Sequence, residues 1–180
     1  SLTYTSSEAT TNFVLADITV TECTLSSFTT TSSTVYGSTC TASSDGTPTV
    51  VVAAGTFTDG DGDDNSASNT YTWAYDGTGP IMTITSTTVS SGSSTNTQAV
   101  VMRYTTNEAT TNFVIGDITV LGCVNSAFSQ LAATVFETVC TAASDGTQMV
   151  LVAAATFTDA AGNDNYVSNT YTWTYDSGGP

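Results

Sequence analysis

NTYTWAYDGTGPIMT, residues 69–83, is the stretch of sequence that decides the fold. Its first half alternates aromatic with small residues, so that Tyr71, Trp73 and Tyr75 share one face of a predicted strand. Its second half, residues 76–80, contains the Gly and Pro residues that end this strand, and a new alternating segment follows at once. The stretch predicts a strand that closes one folded domain, a short rigid link and a strand that opens the next domain.

The same stretch returns at the end of the sequence as NTYTWTYDSGGP, residues 169–180, within a longer internal repeat. The second copy follows the first by about 100 residues, and the shared part needs no gaps. A repeat of this length is normal for one β-sandwich domain, so we predict two domains, residues 1–78 and 79–180. The matched segments include residues 8–14 with 108–114, 17–20 with 117–120, 45–47 with 145–147 and 56–59 with 156–159.

Short alternating segments separated by turn residues predict an all-β fold for each domain, and no helical period is convincing. The apolar and aromatic residues of these segments form the predicted cores, with Trp73 and Trp173 as the largest contributors. The predicted fold class is therefore all-β, with two tandem β-sandwich domains. The predicted strands of the second domain are residues 81–89, 99–105, 112–115, 118–123, 133–142, 148–157 and 169–175.

The first repeat has no counterpart of the opening strand. Ser1 aligns with Val101, so the residues that would match 81–100 lie before the first position of the sequence. We therefore expect the first domain to lack its own first strand. Either a continuation of the polypeptide or another chain would supply it, because an open sheet edge accepts an added strand.

The charge balance restricts the classes of partner. The sequence has sixteen acidic residues, one basic residue (Arg103) and no His, for a formal net charge of −15. Nucleic acid is excluded because its binding requires basic side chains, and an anionic membrane surface is disfavoured for the same reason. No apolar run approaches about 20 residues, so direct membrane insertion is not expected. Cations are the natural partners of such a chain.

The cysteines fall as one pair in each repeat. We predict the disulfides Cys23–Cys40 and Cys123–Cys140, which join the predicted strand 118–123, and its counterpart, to the strand that follows. A closed loop of about 17 residues stabilises a domain by roughly 3 kcal/mol. Disulfides suit an oxidising, extracellular compartment. A zinc site is the alternative, but the sequence has neither His nor a close Cys-x-x-Cys spacing.

The whole pattern resembles the bacterial Ig-like tandem repeats of large cell-surface and adhesin proteins. The resemblance covers both domains. It implies that they are two tandem immunoglobulin-like β-sandwich domains, and that they act as stalks and adhesive repeats on cell surfaces. The Cys pair departs from most members of that family. The segments that carry the resemblance are Ser7-Glu8-Ala9, Asn107-Glu108-Ala109, the Asp-Ile-Thr-Val runs, the Ser-Asp-Gly-Thr turns, the loop 158–165 and the Tyr-Asp…Gly-Pro ends.

Acidic residues suggest a calcium site at the domain junction. Stacking the domains head to tail would bring two carboxylates of the first domain toward three of the second, and calcium binds several hard oxygens at about 2.4 Å. The acidic loop 59–65 also alternates like a calcium loop, but a solvated turn is the favoured alternative there. The predicted junction ligands are Asp45, Asp76, Glu108, Asp159 and Asp164.

Catalysis has little support. The sequence has no His, no Lys and no Cys outside the predicted pairs, so a nucleophile with an adjacent base is not available. We therefore predict that the chain is not an enzyme. The dense hydroxyls of residues 86–97 are candidates for O-linked glycans, and ordinary outward-facing strand residues are the alternative.

Two functions fit these observations. The first is a structural building block of an extracellular filament or cell-surface stalk, in which copies of the chain are joined head to tail, with strand complementation between protomers as its sharper form. The alternative is a calcium-dependent adhesin repeat that binds a surface glycan or a protein.

Overall fold

A computed structural model describes residues 1–178 of the chain. The chain folds as two compact units, Ser1–Gly77 (unit 1) and Thr78–Pro180 (unit 2), and the predicted boundary lies one residue later. Among the described residues, no helix has the length and apolar character needed to cross a membrane. In both units the regular secondary structure is almost entirely β-strand.

Unit 1 consists of two three-stranded antiparallel sheets. Strand β1 is Leu2–Thr5, β2 Ile18–Thr21, β3 Cys23–Ser32, β4 Val35–Ala42, β5 Thr49–Val52 and β6 Tyr71–Thr72. The first sheet has the order β1-β4-β3 and the second β2-β5-β6. Strand β5 begins directly after Pro48, because proline has no N–H to continue the ladder.

Unit 2 repeats this design with two four-stranded sheets. Strand β7 is Met82–Ser86, β8 Ser94–Thr95, β9 Ala99–Thr106, β10 Ile118–Leu121, β11 Cys123–Ala132, β12 Val135–Ala142, β13 Gly146–Val152 and β14 Tyr171–Tyr175. The sheet orders are β11-β12-β9-β7 and β10-β13-β14-β8, and the β14–β8 pair is the only parallel one within residues 78–178. One buried cluster takes residues from both sheets, as expected of a β-sandwich.

A phenylalanine lies at the centre of each core. Phe113 is in ring contact with Tyr104, Phe128, Phe136 and Phe157, with centroid distances of 5.0 Å to the last two. In unit 1, Phe13 makes the equivalent contacts. Aromatic pairs in tilted or edge-to-face geometry contribute about 0.5–1.5 kcal/mol beyond the area that they bury.

The predicted strand 112–115 was wrong. The chain instead enters a short 3₁₀ helix, Ile115–Asp117, with an equivalent helix at Leu15–Asp17. The Asp117 carboxylate accepts the N–H of Val114 at 2.8 Å, and this local bond replaces a strand ladder bond.

The predicted strand 118–123 was wrong at its end. Strand β10 ends at Leu121, and Gly122 has φ +80°, a conformation that turns the chain into the ten-residue strand β11. A Cβ at position 122 would lie 2.8 Å from the carbonyl oxygen of Thr147. Residues 124–132, which lie outside the predicted strands, therefore belong to β11.

The structure joins Cys23 to Cys40 and Cys123 to Cys140, with Cα–Cα distances of 5.7 and 5.6 Å. In unit 2 the bond links β11 to β12, two neighbouring strands of one sheet, because Cys123 opens β11 rather than closing β10. Cys123 faces Ala142 in the register, so the bond runs diagonally across the pair. Each disulfide therefore fixes two strands that also share a ladder.

Candidate functional site

The exposed edge of β1 is the largest difference between the two units. In unit 2, strand β9 pairs with β12 on one side and with β7 on the other. In unit 1, the equivalent strand β1 pairs with β4, and no strand within residues 1–178 pairs with its other edge. A groove of about 780 Å³ lies along this edge and is lined by residues of unit 1 alone.

Aromatic side chains in the last strand region of unit 1 are more exposed than their counterparts in unit 2. Tyr71 is 52% exposed, whereas Tyr171 is 6% exposed. Trp73 is only half-buried, whereas Trp173 is 1% exposed. Trp73 therefore contributes less to its core than Trp173 does. An incomplete sheet leaves one side of the unit 1 core uncovered.

In unit 2, strand β7 covers the corresponding part of the core. Met82 and Ile84 point inward with exposures of 2% and 1%. The side chain of Asn169 accepts the N–H of Ile84 at 2.7 Å and donates to its carbonyl at 3.0 Å. The Tyr171 hydroxyl donates to the carbonyl of Val89, and burial raises the pKa of this tyrosine. Strand β7 is thus held by backbone pairing with β9 and by the side chain of Asn169, and Tyr171 holds the segment that follows it.

Each unit also contains a pair of carboxylates next to the loop that precedes its last strand. In unit 1 the partners are Glu8 and Asp59. A hydrogen bond to Asp59 and the negative charge of Asp59 raise the pKa of Glu8. In unit 2, one carboxylate oxygen of Glu108 and one of Asp159 lie within 4.8 Å of each other.

Backbone N–H groups hold the aspartate of each pair. Asp59 accepts the N–H groups of Asp61 and Asp63 at 2.9 Å each, and the bond from Asp63 is the main cause of its lowered pKa. Asp159 accepts the N–H groups of Gly162 at 2.7 Å and Asn163 at 2.9 Å. Both loops are therefore hydrogen-bonded turns, and the preference for a solvated turn over a metal site in loop 59–65 stays a prediction.

Asp159 is 7% exposed, and burial on its own would raise the pKa of its carboxyl group by disfavouring the charged form. Hydrogen bonds from the side chain and backbone of Asn163 and from neighbouring N–H groups outweigh burial, so the pKa of Asp159 is lowered. The buried carboxylate is therefore ionised at neutral pH and is satisfied largely by its own loop.

The remaining predicted junction ligands lie in turns. Asp45 accepts the N–H of Gly77 at 2.7 Å, and its counterpart Asp145 accepts the N–H of Ser177 at 2.9 Å. Asp164 and Asp76 are exposed. A calcium site that combines Asp45 and Asp76 with Glu108, Asp159 and Asp164 stays a prediction.

In each unit, two asparagines that sequence reasoning did not single out hold the loop that precedes the last strand. Asn165 accepts the N–H groups of Thr156 at 2.8 Å and Phe157 at 3.0 Å, and Asn65 makes the same bonds. Asn112 and Asn12 each connect to the same loop through Thr158 and Thr58. The signal that could have found them was the retention of Asn at matched positions of the repeat.

A family model described as a bacterial Ig-like domain matches residues 1–75 and, a second time, residues 76–175. The two matches cover nearly the whole chain and correspond to the two units. No curated protein and no solved structure was found to match it.

Proposed function

The chain belongs to the bacterial Ig-like domain family, and on this premise we propose that it is a structural building block of an extracellular filament or cell-surface stalk. Ig-like domains and disulfides fit an extracellular protein. Domains of this family are typically structural rather than enzymatic. In this role, the units transmit tension and keep a fixed spacing along a polymer of copies joined head to tail.

The observation that carries this proposal is the presence of two tandem sandwiches, each with a disulfide across one strand pair. A covalent cross-link between β3 and β4, or between β11 and β12, limits how far a unit extends when it is pulled. The net charge of −15 favours solubility of a long exposed polymer.

Single-molecule force measurement on the 180-residue chain tests the structural role. We expect one rupture peak for each unit. Reduction of the disulfides should lengthen each step by roughly 60 Å, the extended length of a chain segment whose ends are 17 positions apart. Electron micrographs of the concentrated chain should show fibres. Units that extend without a measurable peak, together with discrete particles in the micrographs, would contradict the proposal.

A calcium-dependent adhesin repeat is the second candidate. The repeated carboxylate pairs, Glu8 with Asp59 and Glu108 with Asp159, support it because they place hard oxygens in matched positions of both units. Thermal melts with calcium and with a chelator separate the two functions. A midpoint that rises with calcium and falls with a chelator supports the adhesin, and identical melts argue against it.

O-linked glycans would suit either role. The hydroxyl side chains of residues 87, 88, 90, 91, 93 and 94 are exposed, whereas Ser86 is half-buried and donates to the carbonyl of Val101 at 2.7 Å. Mass spectrometry of the native chain should therefore find hexose additions on the exposed group and none on Ser86.

A further inference from the structure

We propose that the groove along β1 of unit 1 is a strand-acceptor site, and that its occupant is the opening strand of a neighbouring Ig-like repeat with the chemistry of β7. The inference rests on the proposed function, in which other Ig-like repeats lie next to this chain and one of them supplies the strand. It goes further in specifying the binding edge, the register and the side chains that recognise the occupant.

The sheet edge fixes the direction and register of the occupant. Strand β7 runs antiparallel to β9, with Met82 opposite Thr106 and Ser86 opposite Met102. Strand β1 is the counterpart of β9, and its outer edge is unpaired within residues 1–178. An equivalent strand would therefore place its Met82-like residue opposite Ser6 and its Ser86-like residue opposite Leu2. Exposed edges of this kind accept a strand through main-chain hydrogen bonds.

The side chains that anchor β7 in unit 2 have counterparts in unit 1. Asn169 binds the backbone of Ile84, and Asn69 stands at the matched position of unit 1. Tyr171 donates to the carbonyl of Val89, and Tyr71 stands at the matched position beside the groove. Asn69 and Tyr71 are both exposed. Unit 1 thus retains the residues that recognise an opening strand.

Burial predicts which residues of the occupant give specificity. Met82 and Ile84 fill the core of unit 2, whereas Thr83 and Thr85 face outward. The inward positions of the occupant would cover Leu2 and Tyr4, which are half-buried in unit 1, and would close the groove beside Tyr71. An occupant therefore needs apolar residues at alternate positions.

Charge also selects the occupant. Glu8, Asp59, Asp61 and Asp63 line the groove, so its surface is acidic. Residues 80–98, which include β7, contain no charged side chain. A second copy of the chain is a poorer occupant, because its β7 already completes its own unit 2.

A peptide of residues 80–98, titrated into the isotope-labelled 180-residue chain, tests the proposal. We expect saturable binding with a 1:1 stoichiometry, shifts in the amide signals of β1 and of residues 66–71, and a higher melting temperature of unit 1. Slow amide exchange should appear at the outer edge of β1. A second form of the chain, with a copy of residues 80–100 fused before Ser1, supplies the same strand at high effective concentration.

Matched variants test the register. The peptide substitution Ile84→Asp places a charge at an inward position and should weaken binding tenfold or more, whereas Thr83→Asp, at an outward position, should retain most of the affinity. In the chain, Asn69→Ala should weaken binding of the unmodified peptide severalfold. Equal binding of both peptide variants would overturn the proposed register.

The proposal is overturned if neither the free peptide nor the fused strand protects β1. A second outcome would overturn the proposed source of the strand. If the chain forms oligomers before any peptide is added, and the peptide dissociates them, then a second copy of the chain is the occupant. Failure of the structural role is detected separately, because the force measurement reads each unit of the chain without any added strand.

Discussion

At the scale of single residues, the carboxylate pairs show that the surroundings can shift the pKa of a carboxyl group in either direction. Asp159 has a lowered pKa, so its ionised form stabilises unit 2 at pH values above its unfolded pKa, and this stability is lost as the pH falls through its folded pKa. We expect Asp159→Asn to reduce the free energy of unfolding of unit 2 by about 1 kcal/mol at pH 7, because hydrogen bonds to a charged acceptor are stronger.

Urea unfolding at pH 7 and at pH 3 measures this effect. The difference between wild type and Asp159→Asn should be smaller at pH 3 than at pH 7, because the stability that the ionised carboxylate contributes declines as the pH falls below its unfolded pKa. Asp164→Asn is the control, because Asp164 is exposed. A deficit of the same size at both pH values would show that the charge of Asp159 does not matter.

Glu8 has the opposite shift. Its raised pKa means that its contribution to stability is complete below its unfolded pKa and is lost as the pH rises through its folded pKa. Since Asp59 is the main cause, Asp59→Asn should lower the pKa of Glu8 toward its ordinary value, as read by carbon NMR of the Glu8 carboxyl. Asp64→Asn should leave that pKa nearly unchanged. An unchanged titration in Asp59→Asn would contradict the pairing.

At the scale of elements, alternation predicted strands that are packed on one face and failed where local bonds redirect the chain. Residues 81–89, 99–105 and 169–175 each contain a real strand, because their inward residues reach the core. Residues 112–115 contain none, since Asp117 bonds to the backbone of Val114. Most residues of β11 are exposed, and its second half has no alternation of apolar and polar residues that would predict a strand.

Gly122 is the element-scale feature that sequence reasoning missed and that mutation can test. Its φ of +80° and the 2.8 Å approach to Thr147 leave no room for a side chain. We expect Gly122→Ala to lower the free energy of unfolding of unit 2 by about 1–2 kcal/mol. Gly116→Ala is the matched control, because a Cβ there meets no atom within 4 Å. Urea unfolding of both variants measures the difference, and equal stabilities would contradict the strain.

At the scale of the whole molecule, the candidate site was partly predictable. The alignment of Ser1 with Val101 predicted an incomplete first domain, and the structure shows an unpaired edge on β1 within residues 1–178. The anchors of β7 were not predictable, because the pairing of Asn169 with Ile84 joins residues far apart in the sequence. Periodicity reports which face of a strand is buried and carries no information about such long-range partners.

The difference between the two units predicts that they unfold separately. Unit 2 buries Trp173 and Tyr171, whereas unit 1 leaves Tyr71 half exposed and builds only three strands in each sheet. Buried apolar area is the main source of stability, so unit 1 should unfold first. The variants Trp73→Phe and Trp173→Phe leave one tryptophan each and make fluorescence report on one unit at a time.

In urea, we expect the midpoint reported by Trp73 to lie below the midpoint reported by Trp173. Amides of β6 should exchange with solvent faster than those of β9, because β6 spans only Tyr71–Thr72 and β9 is paired on both edges. Circular dichroism of the wild-type chain is the control, since it should show both transitions in one curve. Coincident midpoints for the two tryptophans would mean that the units unfold as one cooperative body, and the unpaired edge of β1 would then have no measurable cost.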